Sequence, residues 1–549
     1  MRKFDPITLE IIQRSLSSAS EEMFATIKKT AMSSIIYEVL DMGTAITAAN
    51  GELASSGSGI PAFVCALDKA VMKIIDKFGF DNIENGDIFL TNDPYFGGVT
   101  HLNDAVLVKP VFYDNSLIAW TANIAHWNDV SGAIAGSMSG DATEIFQEGI
   151  RYPAIRLFKN DSVIDSVMDI IKANSRMPDF LHGDLWAQIA ALRVGEKRII
   201  ELVDKYSKSV FVESINQHLE YGEKVAREVI SKLKDGSYHL KEKQDDGSYL
   251  SVGIEIKDCE ITFDLTDAPD QNTGPINLSL DASTLTVQMV LMGVIGSRVV
   301  GNGGCFRNLE IKTKQKTIYH AEEPAAAGFY FETMIRLYDI LCRCLAENVA
   351  EFIPAGGFSS ICATILGGVN ADTQRQFTII EPEIGGWGAG KDHDGINAMF
   401  CGIHGDTFNC PAEVAETRYG VTVEQQSLRI CDAGAGEFRG GFGVTVDYRI
   451  NSDNSFLTCA YTRAEVPPWP LNGGESGSTN GIKVIRVDGT QESYSFTTGL
   501  DLKQGDVVRV ETATGAGFGD PLQRSRSRID DDIKNGYVSL QYAKKVYGY

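Results

Sequence analysis

Two of the eight histidines, His101 and His126, lie at the open end of what reads as a single β-hairpin, and Asp104 follows the first by three residues. Alternation of apolar and polar residues predicts strands over Asp104 to Tyr113 and Ser116 to Ala125, joined at Asp114-Asn115. With the turn there, paired residue numbers sum to about 229, so Asp104 faces Ala125, Asn103 faces His126 and His101 lies near Asn128. Two imidazoles and a carboxylate then gather at one end of a rigid ribbon, with Asp93 and Asp129 a few residues away. That donor set suits Zn, Mn or Fe(II), whereas Ca and Mg sites normally lack imidazole. Spacing alone leaves a second reading open, an ordinary surface turn rich in Asn and Asp.

Flanking segments add candidates. The loops Thr91 to Gly98 and Asn128 to Gly132 contain glycines that permit close backbone approach to a ligand. In Thr143 to Gly149, Glu144 and Glu148 are four apart and share a face if the segment is helical. Asp129 or Glu148 is the candidate general base; a solvated helix start is the plainer account of the latter. Gly385 to Lys391 satisfies the GxxxxGK half of a phosphate loop, but Asp392 stands where a Ser or Thr hydroxyl should hold Mg²⁺. The acidic side chain would also repel phosphate, so the chain is not expected to bind ATP alone.

The elements around these residues can be read from periodicity. Asp5-Pro6 caps an opening helix with Leu9, Ile12, Leu16, Ala19, Met23 and Ile27 on one face. A first hairpin, Thr44 to Ala48 and Glu52 to Ala54, turns at Asn50-Gly51, the chemistry of a type I′ turn. Asp87 to Leu90 is a further strand. Helical periodicity covers Leu185 to Lys208 and Val212 to Lys234, stopping at Asp235-Gly236. Strands and one apolar helix, Ser283 to Val294, follow, then an amphipathic helix from Tyr330 to Val349. Beyond residue 420 the pattern is mostly β, ending in a polar stretch, Arg524 to Asp532, and a short helix from Ser539.

This is an α+β, multi-domain, mixed chain. An N-terminal domain, 1–235, carries the helix and the metal-site hairpin; a middle α/β domain spans 236–420; and a β-rich C-terminal domain with a closing helix spans 421–549. Three or four units fit 549 residues. With 50 Lys plus Arg against 73 Asp plus Glu, the net charge of −23 disfavours nucleic acid and anionic lipid as partners. The strongest uninterrupted apolar run, Met289 to Gly296, is far short of the ~18 residues of a membrane span. Asp5 and Glu10 interrupt any signal-like start, and ten scattered cysteines show neither disulfide nor zinc-ribbon spacing. A cytoplasmic protein is expected.

Several long motifs, in order, carry a resemblance. Phe4 to Ile11, Asn92-Asp93-Pro94-Tyr95, His101-Leu102-Asn103-Asp104 and Ala125 to Asp129 lead into Thr143 to Arg151. Ala415 to Tyr419, Phe438 to Gly441 and Gly517 to Leu522 complete the set. In these the chain resembles the hydantoinase B/oxoprolinase family, the B-type subunits of ATP-dependent N-methylhydantoinase and 5-oxoprolinase, with related subunits in acetone and acetophenone carboxylases. It departs from the common pattern at Phe96 and Val99. The resemblance implies a metal held by His101, Asp104 and His126, with Asp41 as a further ligand. It also implies a partner A-type subunit with an actin-like ATPase fold, using ATP and Mg to phosphorylate the carbonyl oxygen of a small cyclic amide. Metal-activated water then opens the activated ring. The rival expectations are an ATP-dependent ketone carboxylase, a non-catalytic scaffold for the ATPase, and a self-sufficient metallohydrolase.

Overall fold

The computed structural model describes residues 5–349, 352–405, 407–430 and 433–549. Phe4, the first residue of the opening motif, and Cys431 lie outside the described residues. Backbone contacts divide the chain into two compact units, neither continuous in sequence. One comprises 1–237, 255–330 and 403–408; the other comprises 238–254, 331–402 and 409–549. The mixed helix-and-sheet class expected from the sequence is what the chain adopts.

The first unit is built on a seven-stranded antiparallel sheet in the order β2-β1-β5-β4-β3-β6-β7. Its strands are β1 (Met42–Ala48), β2 (Leu53–Gly59), β3 (Ile88–Thr91), β4 (Asp104–Tyr113), β5 (Ser116–His126), β6 (Ile155–Lys159) and β7 (Ser162–Val163). The central pair, β4 and β5, is buried along nearly its whole length because helices cover both faces. On one face Thr121 and Asn123 bond to carbonyls of Leu192 and Gln188 in the helix Pro178–Tyr206. On the other, Ile124 lies with Phe63 of the helix Pro61–Phe78 around Gly43, where an added Cβ would meet both side chains at 3.3–3.4 Å.

The opening helix runs Pro6–Thr30, and the Asp5 carboxylate accepts from the Ile7 and Thr8 N–H groups. All six residues of its expected stripe are buried. The Asn50-Gly51 hairpin forms, but only Gly51 takes a positive φ, +94°. Gly51 N–H bonds Ala48 O and Ala48 N–H bonds Glu52 O, a longer loop than the two-residue turn expected. The helix expected to stop at Asp235-Gly236 ends at Ile230, and Gly236 opens a strand instead. The helical stretch Leu280–Arg298 is long and apolar enough to span a membrane, and 61% of its most apolar window is buried inside the fold.

The second unit holds a four-stranded sheet (363–369, 376–381, 455–460, 496–502) and a five-stranded sheet (421–429, 443–450, 481–485, 491–494, 507–511). The polar stretch near the C-terminus folds as a helix, Arg526–Lys534. Asp532 on that helix pairs with Arg439 and Arg524. The segment 385–391 is no phosphate cradle, since no helix follows it. Its glycines serve backbone packing: a Cβ on Gly388 would lie 1.8 Å from Ala355 O.

Candidate metal centre

The β4–β5 hairpin turns at Asp114 and Asn115, both at positive φ (+48° and +58°), the conformation of a type I′ turn. Next to the turn the register sums as counted: Tyr113 pairs Ser116 and Phe112 pairs Leu117. A β-bulge between Val111 and Phe112 then shifts the ladder by one residue, so Ala105 faces Ala125 and Asp104 faces His126. The counted pairing of Asp104 with Ala125 is therefore corrected by one position. The correction matters because directly opposed residues project from the same face, so Asp104 and His126 converge. His101 precedes β4 in a turn closed by Asp104 N–H to His101 O at 3.1 Å.

His101, Asp104 and His126 each offer one ligand atom, and the three atoms lie within 4.8 Å of one another. All three are buried, with side-chain exposure of 3% or less for His101 and Asp104. His101 Nε2 sits 3.2 Å from Asp104 Oδ1, too poorly aligned to count as a hydrogen bond. Asp41 enters from the residue before β1: its carbonyl accepts from His126 N–H at 3.1 Å, and its carboxylate feels the charges of Asp104 and His101. Asp41 Oδ1, Asp104 Oδ1 and His126 Nδ1 are buried with no hydrogen-bond partner among the described residues. Such orphaned atoms cost about 1–3 kcal/mol each. Two of them sit in the His101–Asp104–His126 group and the third, on Asp41, is near enough to feel its charges; all are on groups able to donate lone pairs, and the set fits a divalent cation.

The remaining atoms are held by residues that local spacing did not reveal. Asp104 Oδ2 accepts from the Thr100 hydroxyl and from Tyr330 Oη at 3.1 Å. His101 Nδ1 lies 2.9 Å from Gly328 O. A carbonyl only accepts, so Nδ1 carries the proton, and in the neutral ring Nε2 keeps its lone pair. His404 also neighbours the cluster closely enough to interact with the charges of His126 and Asp104, and its own Nδ1 meets Thr407 Oγ1 at 2.7 Å. Thr100 adjoins His101 in sequence and could have been suspected. Gly328, Tyr330 and His404 are more than 200 residues away and leave no local signal.

Electrostatics separate the titrating groups. Burial, reinforced by the charge of His101, pushes His126 down to about 3, and burial takes His404 down to about 4. Burial also disfavours charge on His101, but Asp104 outweighs it and raises that imidazole. Asp104 is likewise opposed by burial yet held low by His101, His126 and Thr100. Asp41 is pushed well above the carboxylate range by burial and by the charge of Asp104. The group thus offers both donor types that a cation requires, a neutral imidazole and an ionised carboxylate.

The other sequence candidates are engaged elsewhere. Asp129 Oδ1 accepts from Ser131 and Arg176 N–H, and Oδ2 from Gly136 N–H and Arg176 Nη1. Glu148 accepts from the backbone N–H groups of Ala327 and Gly328, and burial raises it to about 7. The Glu144–Glu148 segment makes only a 3-10 turn, Ile145–Gln147, not the helix considered. The loop glycines pack closely against protein. A Cβ on Gly97 would meet Thr91 Oγ1 at 1.8 Å, one on Gly98 Lys69 backbone at 2.7 Å, and one on Gly132 Gln147 O at 2.8 Å.

Comparison with known proteins places this architecture. The sequence profile of the hydantoinase B/oxoprolinase family matches residues 5–521. An uncharacterized protein of Methanocaldococcus jannaschii is 33% identical, with 99% of this chain and 96% of that protein covered. The beta subunit of the caprolactamase of Pseudomonas jessenii is 29% identical, covering 100% and 96%. The crystal structure of the ATP-dependent caprolactamase from Pseudomonas jessenii superimposes with a TM-score of 0.92 at 28% identity, covering 100% of this chain and 96% of that one. On this evidence the chain belongs to the hydantoinase B/oxoprolinase family.

Proposed function

We propose that this chain is the metal-carrying B-type subunit of an ATP-dependent enzyme that opens cyclic amides, acting on a substrate phosphorylated by a partner A-type subunit. The observation that carries the reading is the buried group of His101, Asp104 and His126, whose ligand atoms lie within 4.8 Å of one another, with Asp104 Oδ1 and His126 Nδ1 unpartnered among the described residues. Family membership and the likeness to a caprolactamase beta subunit support the substrate class and the division into subunits.

In this reading His101, Asp104, His126 and Asp41 hold one divalent transition metal, Zn, Mn or Fe. When bound, the metal supplies Lewis acidity, activating water or polarising an oxygen at neutral pH. Gly328 O fixes the His101 ring so that Nε2 faces the cluster, and Thr100 and Tyr330 together turn Asp104 so that Oδ1 does. The near absence of solvent at these side chains removes competing water and strengthens charge interactions. Prior phosphorylation of the carbonyl oxygen, supplied by ATP and Mg on the partner, converts a poor electrophile into a reactive one. Asp129 is not the proton acceptor in this reading, because its carboxylate is consumed by backbone amides and Arg176.

Reconstitution tests it. The chain combined with an A-type partner, ATP and a panel of lactams, hydantoins and oxoproline should release a ring-opened acid, and His101→Ala or His126→Ala should abolish this while the complex stays assembled. Bicarbonate-dependent ATP turnover with ketones would favour a carboxylase. Undiminished product formation by the histidine variants would favour a scaffold, and ring opening without nucleotide or partner a self-sufficient hydrolase.

A further inference from the structure

The stretch 323–330 supplies support for two of the metal-binding residues at once. Gly328 O receives the His101 Nδ1 proton at 2.9 Å, and Tyr330 Oη donates to Asp104 Oδ2 at 3.1 Å. What holds this stretch in place is a second segment of the same unit, 144–151. Ile145 N–H donates to Pro324 O at 2.8 Å, and Arg151 pairs with Glu323 Oε1 at 2.5 Å. Closest to the metal-binding residues, Glu148 Oε1 accepts from Ala327 N–H at 2.9 Å and Gly328 N–H at 2.6 Å, with Oε2 3.1 Å from the former.

Glu148 is 1% exposed, and a carboxylate this deep is costly unless its donors satisfy it. Here two consecutive backbone amides do so, which requires them to point the same way. The arrangement also needs glycine at 328: a Cβ there would stand 2.9 Å from Glu148 Oε1 and force the clamp apart. The carbonyl that follows the clamped Gly328 amide is the one that orients His101.

We propose that Glu148 is a positioning residue of the metal centre: by clamping the amides of 327 and 328 it fixes the carbonyl and the hydroxyl that aim His101 and Asp104 at a cation. This rests on the metal reading above and adds its second layer of support. Removing such an outer partner characteristically weakens metal binding about 10–100-fold while leaving the ligands themselves in place.

The test titrates Co²⁺, against a chromophoric chelator, into the metal-free full-length chain as wild type, Glu148→Gln, Tyr330→Phe and His126→Ala. Glu148→Gln keeps the shape but puts an amide NH₂ against a backbone N–H. Expected are one Co²⁺ bound by the wild type, none by His126→Ala, and about 10–100-fold weaker binding with a shifted visible spectrum for Glu148→Gln. Tyr330→Phe, which removes one hydroxyl and no backbone contact, should weaken binding about tenfold and carries the decision if Glu148→Gln does not fold. Circular dichroism of the metal-free variants separates an altered spectrum from lost structure. Wild-type uptake with unchanged affinity and spectrum in Glu148→Gln, or in Tyr330→Phe where Glu148→Gln does not fold, overturns the positioning role alone. No uptake by the wild type overturns the metal reading and this proposal with it.

Discussion

Thr100→Val is the most discriminating single change at the centre. Valine matches threonine in shape, and Thr100 is fully buried, so the substitution removes one hydroxyl and little else. That hydroxyl donates to Asp104 Oδ2, which among the described residues then keeps Tyr330 Oη at 3.1 Å. A hydrogen bond to a charged group contributes about 1.5–3 kcal/mol, so the metal-free chain should lose stability of that order. Metal affinity should fall about 10–100-fold, roughly 1.4–2.7 kcal/mol, because the carboxylate that Thr100 helps hold low and aimed becomes both less acidic and freer to rotate. The assay is denaturant unfolding of the metal-free protein beside competitive metal titration. Thr100→Val combined with Tyr330→Phe should lose more than the sum of the single changes, since both donors serve one oxygen and the second removal strands a buried charge. Wild-type affinity and stability in Thr100→Val, or strict additivity in the pair, would refute the assignment of Oδ2 as the anchored oxygen and Oδ1 as the ligand.

Elemental analysis should find one transition metal per wild-type chain and close to none in Asp104→Ala; equal content would remove the centre. Asp129→Asn should lower stability by about 1.5–3 kcal/mol through its bonds to Gly136 and Arg176, yet leave metal affinity unchanged; a large affinity loss would return Asp129 to the site. In the second unit, burial raises Glu332 to about 7 from 4.5, despite donors from Ser360, Ile361 and Thr462. Because its folded value lies above its unfolded one, its contribution is complete below the unfolded value and is lost as pH rises through about 7. Between pH 4 and 8 the wild type should therefore lose about 3 kcal/mol relative to Glu332→Gln, measured by denaturant unfolding at each pH; a pH-independent difference would mean that Glu332 titrates in the folded chain as it does in the unfolded one.

Much of the framework is legible locally. The Asp5-Pro6 cap, the apolar stripe of the opening helix, the Asp114-Asn115 turn and the limits of β4 and β5 follow from period and turn chemistry, which act over a few residues. The grouping of His101, Asp104 and His126 follows too, because a hairpin returns His126 to the other two whatever surrounds it. The helix Arg526–Lys534 was hidden by its charge: Asp532 faces inward only because Arg439 and Arg524 meet it there.

What the sequence by itself determined, then, is a set of strands and helices and the donor types a metal requires. Tertiary structure decided the rest. The bulge at Val111–Phe112 sets which residue faces His126, a one-residue choice that turn chemistry leaves open. Gly328 and Tyr330 reach His101 and Asp104 across more than 200 residues, and Asp129 and Glu148 are turned toward backbone amides. Hydrogen bonds closed by a long loop of chain depend on where the folded surfaces meet, and neither spacing nor residue type along the chain encodes that meeting point.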